Sequence, residues 1–261
     1  MMGGGNDEVA FACGRLIQWA LRPRAIPFNE PQYRALVDRY IDQPAFREAV
    51  RQFADGLGLA VLEVNDRGLF LGTQDESVFA VKASEFRGGR GSAEDRLLDG
   101  LVQVAIAATI YPRQQDLDED AMEAKPPITS AEVDETLRQL CAEFKRRVGD
   151  CPDVPSDAME QGLQEAWRVY ESRPSVRTTQ LGTLSQSSTQ GLIRKHLQQL
   201  VDHGCFTVTQ HGEAEMYRPT LRYQIQVREL AATKLYQRVQ EARRGHGAAS
   251  DGALKPGADD A

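Results

Sequence analysis

The sequence predicts a mainly α fold with small β-hairpins, an α+β arrangement, and two observations carry that expectation. Amphipathic helical periodicity runs through most of the chain, and twice a helix ends on glycine and gives way to two short strands around a polar turn. In the later copy the helix spans Ser188 to His203 and Gly204 closes it; Cys205 to Thr209 and Glu215 to Pro219 read as strands around the turn Gln210 to Ala214. Helix followed by hairpin is the order of a winged-helix module, so the expected architecture is two tandem winged-helix domains.

Taken in order, Asp7 to Leu21 reads as a helix with Val9, Leu16, Ile17, Ala20 and Leu21 available for one face, ended by Arg22-Pro23. Asn29 is placed as the N-cap of the next helix, with Pro31 in the first turn and Tyr33, Leu36, Val37 and Tyr40 on one stripe. A further helix starts near Pro44 and uses Phe46, Val50, Phe53 and Leu57 before Gly58. Leu59 to Val64 and Leu69 to Leu71 read as strands around Asn65-Asp66-Arg67-Gly68, and Val78 to Val81 as one more strand. Arg87 to Gly91 is a loop, and Ala93 to Ile110 a helix buried along Leu97, Leu98, Leu101, Val102, Ala105 and Ile106.

Thr129 followed by Glu132 is a capping-box signature for a helix with Val133, Leu137, Leu140 and Phe144 inside. Asp157 to Tyr170 reads as another, packing Leu163, Trp167 and Tyr170, and Val176 to Leu181 as a short strand. Ser187 and Gln190 fit a second capping box ahead of Leu192, Ile193, Leu197, Leu200 and Val201, and a last helix is expected from Gln224 to Ala242. The expected division is therefore 1–28 as a helical segment, 29–115 and 128–244 as winged-helix domains, 116–127 as an acidic linker and 245–261 as a disordered tail.

Composition bounds the function. The chain has 261 residues, 41% hydrophobic and 26% charged, which suits one large or two small folded domains. The net charge of -7 is uneven: Ser92 to Glu160 is acidic, whereas Gln161 to Arg244 holds more Lys and Arg than acids, so the C-terminal module can meet nucleic acid locally. No long apolar run or leader pattern suggests entry into a membrane, and a cytoplasmic location is expected. The four cysteines form no CxxC pair and read as reduced thiols.

Arg194, Lys195, Gln198 and Gln199 point outward on the helix before the second hairpin, where a recognition helix would meet the major groove; Arg218 and Arg222 stand near the wing, in reach of phosphates. Thr178 and Thr179 are candidate phosphate donors from the preceding loop, or ordinary strand and turn residues. The alternative for the cationic face is a solvated surface with intramolecular salt bridges. His196, His203, His211 and Cys205 match no zinc spacing, and Asp116 to Asp120 opens like a calcium loop but has Ala121 and Pro127 where glycine and glutamate belong. No metal or cofactor is expected. Gly88-Gly89-Arg90-Gly91 lacks the lysine of a phosphate loop, and no catalytic constellation is recognisable, so no enzyme is expected. The apolar stripes of Asp7 to Leu21 and Gln224 to Ala242 exceed what a small tandem module buries alone, which predicts a homodimer.

The stretch Tyr33-Arg34-Ala35-Leu36-Val37-Asp38-Arg39-Tyr40 leading to Phe46-Arg47-Glu48, the Gly56-Leu57-Gly58-Leu59 junction and Gly68-Leu69-Phe70-Leu71 resemble the first winged-helix domain of kite subunits, the kleisin-interacting tandem winged-helix elements of bacterial SMC complexes. The likeness continues through Thr189 to Thr209, Tyr217-Arg218-Pro219-Thr220 and Arg222-Tyr223-Gln224, roughly residues 29 to 242, and is nearest the MukE-like subunit of Wadjet plasmid-defence systems. The resemblance implies a homodimer that binds a kleisin, and through it an SMC ATPase that moves along or extrudes DNA. A winged-helix transcription regulator is the alternative, although the acidic total disfavours strong autonomous DNA binding.

Overall fold

The structure is a computed structural model that describes residues 4–74, 77–80, 92–117, 123–150, 167–176, 188–212 and 214–231. The expectations for Arg87 to Gly91, Thr178, Thr179, residues 157–166, most of the strand at 176–181 and the tail lie outside these residues. The described chain is mostly helical with two antiparallel hairpins, an α+β arrangement. Its elements are α1 (Gly4–Ala20), α2 (Pro31–Asp42), α3 (Pro44–Gly56), β1 (Leu59–Asn65), β2 (Gly68–Thr73), α4 (Ala93–Ile110), a 3-10 turn (Gln114–Leu117), α5 (Ser130–Asp150), α6 (Thr189–Asp202), β3 (Phe206–His211), β4 (Ala214–Pro219) and α7 (Leu221–Ala231). Residues 167–171 are also helical.

Two compact units divide the chain. The first comprises Met1–Lys82 with Leu200–Thr207 and Pro219–Glu229. Its core is apolar: Leu16 and Ile17 of α1, Val37 of α2, Val50 of α3, and Leu59 and Leu69 of the first hairpin are all buried together. Tyr33 brings a hydroxyl into this core, where it accepts a hydrogen bond from the Leu69 amide at 2.8 Å. Gly68, at φ +132°, sits so near that a Cβ there would lie 2.4 Å from the Tyr33 oxygen, which only glycine avoids. Gly58 closes α3 at φ +69° and Gly204 closes α6 at φ +72°, both as expected of helix-terminal glycines. Gly204 packs so tightly that a Cβ would meet the Pro23 carbonyl oxygen at 2.2 Å.

The second unit comprises Ala83–Gln199, Val208–Arg218 and Leu230–Ala261. α4 and α5 pack through Leu98, Leu101, Val102 and Ile106 on one side and Val133, Leu137, Leu140 and Phe144 on the other, the stripes the periodicity predicts. The Thr129–Glu132 capping box is present: the Glu132 amide donates to Thr129 Oγ1 at 3.2 Å, and the Thr129 amide to Glu132 Oε2 at 2.7 Å. Ser92 and Asp95 form another at the start of α4. Ile128 and Tyr217 exchange backbone hydrogen bonds, which lays one extra bridge beside β4.

Several local expectations need correction. Asn29 is not the N-cap of α2; Glu30 is, and it makes no side-chain cap bond, because Pro31 at the first helical position fixes where the helix begins. Ser188 Oγ accepts from the Gly191 amide at 3.2 Å and so caps α6, while Ser187, the cap expected, lies outside the described residues. Residues 78–80 form a turn and bend, not a strand, with Ser77 Oγ accepting from the Phe79 amide. α7 starts at Leu221, three residues before Gln224, and its described part ends at Ala231. The first hairpin turn is shorter than expected, with Asp66 and Arg67 alone between the strands. Within the stretch expected as an acidic linker, Asp116, Leu117 and Lys125 are buried, and residues 118–122 lie outside the described ones.

Candidate nucleic-acid interface

Four of the six described candidates lie on α6 and one on β4, all within the second unit; Arg222 belongs to the first. Arg194 is not available to a ligand in this arrangement. Its Nε and Nη2 grip Glu215 Oε2 and Oε1 of β4 at 2.7 and 2.5 Å, the two-pronged geometry that suits a guanidinium and a carboxylate. The Tyr217 hydroxyl donates to the same carboxylate at 2.5 Å. Burial alone would raise the Glu215 pKa, but the hydrogen bonds from Arg194 and Tyr217 outweigh it and hold the carboxyl below its ordinary value. Burial and the neighbouring carboxylate push the Tyr217 hydroxyl up. The intramolecular alternative weighed for this face is therefore the one that describes Arg194.

Lys195 and Gln199 are half-buried and Gln198 is exposed. Arg218 is exposed and donates from Nη1 to the Lys125 carbonyl at 3.2 Å. Arg222 donates from Nη2 to the Ala20 carbonyl at 2.7 Å, so it satisfies an end-of-helix acceptor of α1. Along β3, Thr207 to His211 are exposed and carry no carboxylate. What remains for phosphate contact in the second unit is thus Lys195, Arg218 and the strand from Val208 to His211, a weaker field than the four candidate cations Arg194, Lys195, Arg218 and Arg222 suggested.

His196 is the residue whose role sequence reasoning missed. It is 1% exposed, too enclosed to coordinate an ion from solvent, and it bridges α6 to α4: Nε2 lies 3.1 Å from Asp99 Oδ1 and Nδ1 2.9 Å from Gln103 Nε2. Because the Gln103 amide can only donate there, the imidazole proton sits on Nε2 and points to the carboxylate. The signal was available in part, since His196 follows Leu192 and Ile193 by four and three positions and so falls on the buried stripe.

A second polar cluster joins α5 to the 167–176 segment. Asp134 is fully buried; Ser175 Oγ donates to its Oδ2 at 2.5 Å and Tyr170 reaches its Oδ1 at 3.5 Å. Beside it an open groove of about 630 Å³ is lined by Arg138, Cys141, Lys145, Arg146, Tyr170 and Arg173 among others. Its cations are already paired, Arg138 with Glu135, Lys145 with Glu171, Arg146 with Glu143 and Arg173 with Asp95, which leaves little field for an anion. Burial, reinforced by Glu171 and Asp134, pushes the Cys141 thiol up to about 12, so it stays protonated and poorly nucleophilic. Cys13, Cys141 and Cys205 are free buried thiols, and no cluster of metal-ligating side chains occurs among the described residues. No described helix is long and apolar enough to cross a membrane. No protein-family model matches the chain, and no curated protein matches it.

Proposed function

We propose that the chain is a non-catalytic kite subunit: a tandem winged-helix protein that binds the kleisin of an SMC ATPase complex acting on DNA, in a Wadjet-type defence against circular plasmids. The observation that carries this reading is the repeated unit of helix, left-handed glycine and antiparallel hairpin, as α3, Gly58, β1 and β2 and again as α6, Gly204, β3 and β4. The residues behind the kite resemblance fall on these elements, on α2 and on the first turns of α7. DNA contact in this reading is sequence-independent and weak in the isolated chain, with Lys195, Arg218 and the exposed β3 strand as its surface and partners supplying the remaining charge. The regulator reading has less support, because base readout from α6 needs free side chains and Arg194 is held by Glu215.

The test reads the genes flanking this one for a kleisin and an SMC ATPase and co-expresses their products with the chain. A stoichiometric complex on size exclusion, with no ATP turnover by the chain alone, supports the proposal. Failure to capture the kleisin overturns it, and sequence-specific DNA binding that persists at physiological salt supports the regulator in its place.

A further inference from the structure

The apolar stripe of α1 that suggested a second copy is buried inside the first unit, with Leu16, Ile17 and Trp19 all enclosed. What stays open is the loop after the helix, residues 21–30, where cationic and apolar side chains interleave. Arg22 and Arg24 are exposed, and so are Leu21, Ile26 and Phe28, the last at 84%. The loop is stiff. Pro23 and Pro27 fix φ at two positions, and the amides of Ala25 and Asn29 donate to the carbonyls of Arg22 and Ile26 at 3.3 and 3.1 Å. A stiff loop presents its side chains to a partner at little ordering cost.

Trp19, at the end of α1, ties this loop to the core. Its ring stacks on Tyr33, with centroids 5.9 Å and planes 12° apart, and the Arg22 guanidinium stands 4.2 Å from its centroid. Stacking fixes the plane of a guanidinium and leaves its N–H groups to donate. Among the described residues no carboxylate pairs with Arg22 or Arg24. The Trp19 indole N–H is buried and donates to no acceptor, the condition that buried donors in folded proteins rarely keep. Trp19, Arg22 and Arg24 line an open groove of about 490 Å³ whose other charged members are Glu30 and Asp202, all within the first unit.

We propose that this groove binds an extended peptide segment of a partner protein, one that carries carboxylates beside apolar side chains. The groove holds donors, in Trp19 Nε1, Arg22 and Arg24, and acceptors, in Glu30 and Asp202. A peptide main chain has both kinds of group, so its C=O and N–H can meet each. A nucleic-acid backbone or an anionic bilayer brings phosphates, which Glu30 and Asp202 repel. Carboxylates of the segment pair with Arg22 and Arg24, and its apolar side chains cover Leu21, Ile26 and Phe28.

Random dodecapeptides displayed on phage and selected on the full chain supply the probe. The selected peptides are expected to join Asp or Glu to Leu, Ile or Phe, and as synthetic peptides to bind the parent with micromolar Kd. Arg22→Glu with Arg24→Glu, and separately Phe28→Ser, should each weaken that binding about tenfold or more. With Trp167→Phe, Trp19 is the only tryptophan left, and its emission should shift as peptide is added. Trp19→Phe keeps a ring on Tyr33 but removes the N–H, and should weaken binding as well. Unchanged circular dichroism and thermal midpoints check that the variants fold; Phe28, standing in solvent, gives a change that leaves the core alone. A selection that yields no acidic-apolar peptide, or peptides indifferent to these changes, overturns the proposal. So does Trp19 emission that answers to a DNA duplex or to phosphatidylglycerol vesicles and to none of the peptides. The chain is assayed alone, so the proposal can fail while kleisin capture succeeds, and the reverse.

Discussion

In the first unit no charged side chain is among the described buried residues, its polar ones being Ser77, Gln224 and tyrosine hydroxyls, whereas the second unit encloses Asp99, Asp116, Asp134, Glu143, Lys125 and His196. The two are held by different physics. Removing a methylene from a dry core costs in proportion to the volume lost, and the costs of distant sites add. Removing one member of a buried polar pair strands the other, so a single change can be worse than a double one. The chain holds one tryptophan in each unit, Trp19 and Trp167, which allows the difference to be read unit by unit in variants that keep one or the other.

The strongest contrast comes from His196→Leu. It leaves the Asp99 carboxylate buried without its imidazole, and a loss of about 3–5 kcal/mol is expected in urea unfolding followed by Trp167. Adding Asp99→Leu should recover most of that loss; if the two changes simply add, the polar description of the second unit is wrong. In the first unit Leu16→Ala should cost about 2–5 kcal/mol by the Trp19 signal, and pairing it with a distant core truncation should deepen the loss, not relieve it.

A smaller effect separates the units by pH. Glu215 and Asp116 both titrate below their ordinary values of 4.5 and 3.8; burial opposes the shift, and hydrogen bonds with Arg194 and Tyr217, or with Arg113, outweigh it. A lowered carboxyl contributes stability in full above its ordinary value and loses it as pH falls through the lowered one. On acidification, then, the Trp167 transition should precede that of Trp19, and coincident transitions would deny the second unit any special acid sensitivity. The least effect is expected from Ser92→Ala, about 1 kcal/mol through loss of the α4 cap, again confined to Trp167.

What was legible in the sequence was local. The Thr129–Glu132 box, the stripes of α4 and α5 and the two closing glycines depend on neighbours a few residues away, and periodicity records those directly. Even local reading slipped where two signals competed, as when Pro31 moved the start of α2 away from Asn29. The candidate site was far less legible. Whether Arg194 is free depends on Glu215, twenty-one positions on, and the partner of His196 lies ninety-seven positions back, a distance at which a single sequence gives no pairing signal.

Gly204 sets a schedule for the chain as it is made. It lies against the Pro23 carbonyl, and Arg222 binds the end of α1, so the first unit needs pieces separated by more than half the chain. At a synthesis rate of about 5–20 residues per second the N-terminal helices wait on the order of ten seconds or more after emerging from the ribosome before those pieces arrive. During that interval the Pro23 region and the last carbonyls of α1 stand open, and a nascent chain halted before Leu200 keeps them so. The window in which a chaperone, or the wrong neighbour, can engage the first unit is therefore fixed by the length of the second.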